Sequence, residues 1–326
     1  MTPFVPSRRR LLQSLGAGLA FAATSARAAF PDRPSKIIVP WAAGGSTDAI
    51  ARALAQKLSE SFKQPFVVDN RPGNGGHIGA DLAAKSPPDG YTSIVLELSH
   101  VYAPAVVAKL PYDVLRDFTP VTLIGTSPMI LFGPPDAGDY RAYLKKLAAS
   151  PVPPAMANTG TGSVSHLVGE LFSQATGIKF NMVPYRGGAP AMTDLAAGQV
   201  SAYFATLATA AALMSAGKVK PLAVSSRRRS DVPVLRNLPT LAELGLKNVD
   251  VSQWWALALP ATTPIEVNDK LRLETLAAMT DPRVLERMST LGVELKGSSR
   301  DQLRGFMRAE AERWQTLAKG VGLTPQ

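Results

Sequence analysis

Short apolar runs alternate with segments of helical periodicity along almost the whole chain, and no other feature of the sequence restricts its fold as strongly. Ile37–Val39 reads as a buried strand, and the segment after it carries an apolar stripe from Ile50 to Phe62 at helical spacing. Further strand-like runs follow at Phe66–Val68 and Ile94–Leu96. This alternation predicts an α/β fold with a mostly parallel sheet covered by helices on both faces.

The same pattern starts again in the middle of the chain. Val121–Ile124 and Met129–Phe132 read as strands, and the C-terminal third from Pro264 onward reads as helical. Those last helices need a sheet to pack on, so we expect the chain to return to the first unit near residue 253. The sequence therefore predicts two α/β lobes with interleaved connections and a ligand cleft between them. Lobe 1 comprises residues 29–126 plus 254–326, and lobe 2 comprises residues 127–253.

The first 28 residues are predicted to be a signal peptide outside the fold. Paired arginines precede an apolar run rich in small residues, and Ala26-Arg27-Ala28 has the form of a cleavage site. The arginines favour a twin-arginine signal, with an ordinary secretory signal as the alternative. Cleavage near Ala28 would make the protein periplasmic. It would also remove four arginines and lower the formal net charge from +10 to +6.

Composition excludes several classes of function. The chain has no cysteine, so it forms no disulfide framework and no thiolate metal site. Its histidines, His77, His100 and His166, are far apart in sequence and do not have zinc-motif spacing. No recognisable catalytic motif is present, and the run Arg227–Arg229 lacks interleaved aromatic residues. We therefore expect no enzyme, no cofactor, no metal site and no nucleic-acid partner.

Three loops share one design, in which a strand is followed by small or hydroxyl residues and then by the start of a helix. They are Ala42–Asp48, Asn158–Ser163 and Tyr185–Pro190. A helix start presents unpaired N–H groups and the positive end of the helix dipole, so such loops facing one cleft would form an anion site. The alternative is that Ser46, Thr47 and Ser163 only cap their helices.

Nine segments, in order along the chain, resemble the solute-binding proteins of tripartite tricarboxylate transporters, the Bug family. They are Phe30–Pro34, Ile38–Asp48, Asp69–Gly76, Pro88–Thr92, Leu110–Asp113, Asp117–Val121, Gly160–Leu167, Pro184–Gly187 and Leu195–Val200. The resemblance implies a periplasmic fold similar to type II binding proteins, with two lobes that close on a ligand. It implies capture of a small carboxylate, of the di-, tri- or aromatic class, and delivery to membrane permease subunits. We expect the receptor to be a monomer. The alternative is a periplasmic ligand sensor that feeds a signalling receptor.

The same resemblance implies where the ligand binds. The residues it points to are Trp41, Ala43, Gly44, Gly45, Ser46, Thr47, Asp48, Ser99, His100, Asn158, Thr159, Thr161, Gly162, Ser163, Tyr185, Gly187, Ala205 and Thr206. Two departures from the family pattern bear on specificity. Ala205 stands where the family often carries an aspartate, which favours a plain carboxylate over an amino acid. Glu97 at the end of the third strand is unusual and is expected to restrict the pocket.

Overall fold

The computed structural model describes residues 30–320. The signal peptide predicted at residues 1–28 lies outside this range. Within residues 30–320, no helix is both long enough and apolar enough to cross a membrane. The described chain forms two β-sheets flanked by helices, as an α/β fold requires.

The first part of the chain alternates strands and helices. Its elements are β1 (Ser35–Val39), α1 (Ser46–Phe62), β2 (Phe66–Asn70), α2 (His77–Ala84), β3 (Thr92–Glu97), α3 (Leu98–Tyr102) and β4 (Phe118–Pro128). Short 3-10 turns at Asn74–Gly76 and Ala103–Ala105 flank α2 and α3.

The second sheet begins immediately after β4. Its elements are β5 (Ile130–Gly133), α4 (Tyr140–Ala148), β6 (Ala155–Asn158), α5 (Val164–Thr176), β7 (Asn181–Pro184), α6 (Gly188–Ala196), β8 (Ala202–Ala205), α7 (Leu207–Ser215) and β9 (Lys220–Val224). The chain then returns to the first sheet. The returning elements are β10 (Ser252–Pro260), α8 (Ile265–Thr280), α9 (Pro282–Thr290), β11 (Glu294–Leu295) and α10 (Arg300–Gly320).

The first sheet has the strand order β11-β4-β10-β3-β1-β2, and the second has the order β7-β6-β8-β5-β9. Both sheets are mixed, so the expectation of a mostly parallel sheet holds only in part: β1, β2 and β3 are parallel in the first sheet, and β6, β7 and β8 are parallel in the second. β10 runs antiparallel to β3 and β4, and β5 runs antiparallel to β8 and β9. Both strands arrive from the other sheet instead of through a strand–helix–strand crossover, so no returning helix sets a parallel direction.

β10 connects the C-terminal helices to the first lobe. Trp254, Ala256 and Ala258 lie in one core cluster, whereas Trp255, Leu257 and Leu259 lie in another. Alternate side chains of a strand point to opposite faces of its sheet, so this run of apolar residues is buried on both sides. On the first face, the indole nitrogens of Trp254 and Trp314 both donate to Glu310 of α10, at 3.2 and 3.0 Å. The last helix is thereby fastened to the first sheet, as the sequence predicted. The exact lobe boundaries stay a prediction.

Candidate ligand-binding site

A cavity of about 60 Å³ lies between the two sheets. Its wall includes Trp41, Ala42, Gly45, Ser46, Thr47, Glu97 and Gln253 from the side of the first sheet. The side of the second sheet contributes Thr159, Val164, Ser165, Gly188, Tyr203, Ala205, Thr206 and Thr209, and Met129 lies on the connection between the sheets. The cavity is small, and its wall carries several hydroxyl groups. It suits a small, polar ligand.

Three helices begin at the cavity wall without a side-chain cap. Their N-cap residues are Gly45 for α1, Gly187 for α6 and Thr206 for α7. Gly45, Gly188 and Thr206 themselves line the cavity. The N–H groups of a first helical turn have no partner within the helix, and the helix dipole adds partial positive charge there. Together these helix starts form a place where an anion is stabilised without a basic side chain.

Asp48 holds the first of these loops in place from behind the cavity wall. Its Oδ2 accepts from the Gly44 amide at 3.0 Å, and its Oδ1 accepts from the Asn70 side chain at 3.0 Å. Arg52 pairs with the same carboxylate at 2.9 Å. Burial alone would raise the pKa of Asp48, but the hydrogen bonds from Arg52, Gly44 and Asn70 outweigh it and lower that pKa. Asp48 therefore stays ionised and orients the loop.

Glu97 is a buried acid on the cavity wall. Its Oε2 accepts from the Thr47 hydroxyl at 2.9 Å and from the Gln253 side-chain amide at 2.7 Å. Its Oε1 accepts from the Ser99 hydroxyl at 3.2 Å. Burial raises the pKa of Glu97 to about 7, against the opposing effect of these hydrogen bonds.

Several polar groups around Glu97 remain free for a ligand. Among the described residues, Gln253 Oε1 is buried without a hydrogen-bond partner, and the buried Trp41 indole nitrogen has no partner besides Glu97, whose pKa it lowers. The Tyr203 hydroxyl lies near Glu97, and burial together with that neighbouring charge raises the pKa of Tyr203. Both buried atoms belong to residues of the cavity wall.

Pairs of hydroxyl groups lie on the part of the cavity wall that the second sheet contributes. Thr159 Oγ1 lies 3.1 Å from Ser165 Oγ, and Thr206 Oγ1 lies 3.4 Å from Thr209 Oγ1. A hydroxyl can turn its proton towards a ligand oxygen, so these pairs add donors to the helix starts. The cavity wall contains no lysine or arginine. Among residues 30–320, no group of three or more His, Asp or Glu side chains is arranged to hold a metal ion.

Comparison with known proteins places the chain in a family. The family model described as "Tripartite tricarboxylate transporter family receptor" matches residues 50–323. The chain belongs to this family. A UPF0065 protein from the tcbD-tcbE intergenic region of Pseudomonas sp. strain P51 is 38% identical to this receptor and covers 95% of it, with 93% of that relative matched. Protein BugT of Bordetella pertussis is 37% identical, with 96% of this receptor and 98% of BugT covered.

Several solved structures share the fold. The periplasmic binding protein BugD superimposes with a TM-score of 0.87 at 33% identity, covering 91% of this chain and all of BugD. The R. palustris protein Rpa4515 with adipate gives a TM-score of 0.86 at 33% identity, with 91% and 100% covered. MatC from Rhodopseudomonas palustris with bound malate gives 0.83 at 30% identity, with 88% and 99% covered. The two-lobed α/β architecture is therefore that of periplasmic binding proteins.

The receptor's cavity brings together part of the predicted site. Its wall contains Trp41, Gly45, Ser46, Thr47, Thr159, Ala205 and Thr206. The other predicted residues lie off the wall: Ala43, Gly44, Asp48, Ser99, His100, Asn158, Thr161, Gly162, Ser163, Tyr185 and Gly187. Direct contact with a ligand stays a prediction for both groups.

Several residues off the wall are buried or hydrogen-bonded within the protein. Ser99 and His100 are fully buried in α3, and burial lowers the pKa of His100 to about 3, which keeps its ring neutral. Ser163 caps α5 by accepting from the His166 amide at 3.3 Å. Asn158 accepts from the Gly160 amide at 2.9 Å, and the Tyr185 hydroxyl donates to Asp194 at 2.8 Å.

Sequence reasoning missed some of the wall. The wall residues absent from the predicted ligand contacts are Ala42, Glu97, Met129, Val164, Ser165, Gly188, Tyr203, Thr209 and Gln253. Glu97 was expected only to restrict the pocket, and Ala42 and Gly188 lie in loops that were predicted to face the cleft. A signal existed for Gln253, because strand alternation puts it on the same face as Trp255, towards Thr47. A signal also existed for Glu97, a charge inside an apolar strand. The sequence contains no such signal for Tyr203 and Thr209, because their position at the cavity depends on how the second sheet faces the first.

Proposed function

We propose that this receptor captures a small carboxylate in the periplasm and presents it to the permease subunits of a tripartite transporter. The observation that carries the proposal is the meeting of three helix starts without side-chain caps, those of α1, α6 and α7, at one cavity between the lobes. Such helix starts stabilise an anion through N–H groups and helix dipoles. The proposal includes no chemical conversion of the ligand.

Size supports a short carboxylate. The cavity, of about 60 Å³, is small. Two relatives are described with adipate and with malate, both of which are dicarboxylates. Among the di-, tri- and aromatic carboxylates, we therefore favour a short dicarboxylate skeleton.

The lobes are proposed to part for ligand entry and to close around the ligand. In this structure residues of the two lobes approach each other closely. A Cβ on Gly75 would come within 2.7 Å of the Thr161 carbonyl, and one on Gly187 would come within 3.2 Å of the Ala42 Cβ. We place the lobes at residues 29–126 plus 254–326 and at residues 127–253. Export through a signal peptide cleaved near Ala28, and action as a monomer, complete the proposal.

Titration calorimetry tests this function directly. The protein is expressed from its full-length gene, purified from the periplasm and titrated with succinate, malate, adipate, citrate, benzoate and 4-aminobutanoate. At least one of these carboxylates should bind with a Kd of roughly micromolar order or tighter. Dimethyl succinate serves as the matched uncharged control and should not bind. Failure of every carboxylate, binding of the diamine putrescine alone, or conversion of a bound acid into a product would reject the proposal.

A further inference from the structure

A histidine lies directly beneath one contact between the two lobes. The turn Asn74–Gly76 of lobe 1 meets the loop 160–162 of lobe 2, and His77 follows that turn as the first residue of α2. We call this contact the lobe junction. Resting on the proposed opening and closing of the lobes, we propose that His77 is a pH switch for closure. Its neutral ring permits the lobe junction to form, and its protonation favours the open lobes and release of the ligand.

The backbones at the lobe junction approach too closely for a side chain on Gly75. A Cβ there would lie 2.7 Å from the Thr161 carbonyl oxygen, and one on Gly160 would lie 3.5 Å from the Gly75 nitrogen. Both loops lie outside β4, β5 and β10, the strands through which the chain passes between the lobes. Parting of the lobes therefore separates the two loops.

The His77 ring is enclosed by the lobe junction. The residue is only 1% exposed, and a Cβ on Gly75 or Gly162 would lie 3.4 or 3.7 Å from its Nε2. On the other side of the ring, Nδ1 lies 2.8 Å from the Tyr112 hydroxyl. Among the described residues, no group hydrogen-bonds Nε2. When the loop 160–162 moves away, this nitrogen faces the open cleft and gains access to water.

A protonated ring does not suit the lobe junction. A protonated imidazole donates from both nitrogens, and here Nε2 lies buried without an acceptor. Burial lowers the pKa of His77 to about 4. In the open lobes the ring regains water, and its pKa returns towards the ordinary value of 6.5. The closed state thus binds fewer protons, so closure is fully favoured above about pH 6.5 and weakens as pH falls from there towards 4.

Two titratable side chains pack directly against the His77 ring, and both are neutral. The ring centroids of Tyr112 and His100 lie 6.0 and 6.4 Å from that of His77. Burial raises the pKa of Tyr112, and burial lowers the pKa of His100 to about 3. Neither residue therefore supplies a charge that would stabilise a protonated His77 in the closed state.

The charged groups farther away are paired with other residues. Asp81, one turn along α2 from His77, pairs with Lys85 at 2.7 Å. The facing loop 160–162 carries no titratable side chain. On α5, which follows that loop, His166 and Glu170 lie 3.5 Å apart. Water reaching the opened ring is therefore the main change that His77 meets when the lobes part.

Ligand affinity at two pH values tests the switch. Wild type, His77→Asn and His166→Gln are titrated by calorimetry with succinate, malate and adipate at pH 8 and pH 5.5. Asparagine keeps a polar group near Tyr112 but does not take up a proton. We expect the loss of affinity from pH 8 to pH 5.5 to be about 5- to 10-fold larger in wild type than in His77→Asn. His166→Gln, the matched control, should behave like wild type. Titration of Glu97 and of the ligand is common to all three proteins and cancels in the comparison.

A second measurement uses only the wild-type protein, so the test holds even if His77→Asn does not fold. The chain has three histidines, and heteronuclear NMR follows each imidazole separately during a pH titration. With saturating succinate, malate or adipate, His77 should stay neutral at pH 5.5. In the ligand-free protein it should titrate closer to its ordinary pKa of 6.5.

Three results would overturn the switch while leaving the proposed function standing. They are equal pKa values of His77 with and without ligand, an undiminished pH dependence in His77→Asn, and its loss in His166→Gln. If no carboxylate bound, the proposed function itself would fail. The ligand-free titration would then decide alone: a His77 ring that stays neutral at pH 5.5 would overturn the switch, and one that titrates near pH 6.5 would support it.

Discussion

Among single residues, Thr47 links the core to the cavity wall. Its hydroxyl accepts from Trp255 and donates to Glu97, and the residue is only 3% exposed. Two buried polar groups therefore depend on one oxygen atom. Removal of that oxygen leaves both groups without a partner, which costs more than the loss of a surface hydrogen bond.

We expect Thr47→Val, which keeps the shape of the side chain, to lower the free energy of unfolding by about 1–3 kcal/mol. Urea denaturation monitored by tryptophan fluorescence measures the change. Thr280→Val is the matched control, since Thr280 is exposed and bonds only to a helix carbonyl. Its effect should stay within about 0.5 kcal/mol. Equal losses in the two variants would show that the Thr47 hydroxyl has no special structural role.

How far single residues could be predicted depends on where their partners lie in the sequence. Asp48 could be expected to orient the loop before it, because the Gly44 amide is four residues away. The contact of Asp48 with Asn70 could not be expected, because Asn70 belongs to β2, the strand that pairs with β1. Likewise, Glu97 stood out as a charge in an apolar strand, but its bonds to Thr47 and Gln253 join three distant parts of the chain.

Among the secondary-structure elements, the helix starts at the cavity are of two kinds. α5 has a side-chain cap, Ser163, whose hydroxyl accepts from the His166 amide. α1 has Gly45 as its N-cap and has no side-chain cap, and Ser46 in its first turn lines the cavity. The two serines, which look equivalent in sequence, therefore stand at different positions of their helices: Ser163 is the N-cap of α5, and Ser46 is the first residue of α1.

Two alanine variants separate these roles. Ser163→Ala should lower the free energy of unfolding by about 1 kcal/mol, since it removes a helix cap, and should change ligand affinity little. Ser46→Ala should leave stability unchanged and weaken binding of the best ligand several-fold. Chemical denaturation and calorimetry of the two proteins give the comparison. Weaker binding without a loss of stability in Ser163→Ala would contradict the assignment.

The longer elements were predictable because each carries an apolar pattern of the right period. α3 was not predicted, because it follows β3 without any glycine or proline between them, and Glu97 both ends the strand and caps the helix. α7 was missed for another reason. Its alanine-rich sequence has no clear apolar stripe, so periodicity does not mark it as a helix.

At the scale of the whole molecule, the two lobes are joined by the chain passing from β4 into β5 and returning through β10. That return could be predicted, because the C-terminal helices had no other sheet to cover. The antiparallel direction of β5 and β10 could not, since it follows from the interleaving and not from any local pattern. The way in which the two sheets face each other, which creates the cavity, also could not be predicted from any local sequence pattern.

A crystal structure of the receptor with its tightest-binding carboxylate tests the central claim most directly. We predict that the ligand bridges both lobes in the cavity. One carboxylate oxygen should lie about 2.7–3.2 Å from backbone N–H groups at the start of α1, α6 or α7. A ligand bound away from this cavity, or one whose only carboxylate points at Glu97 and away from the helix starts, would contradict the account.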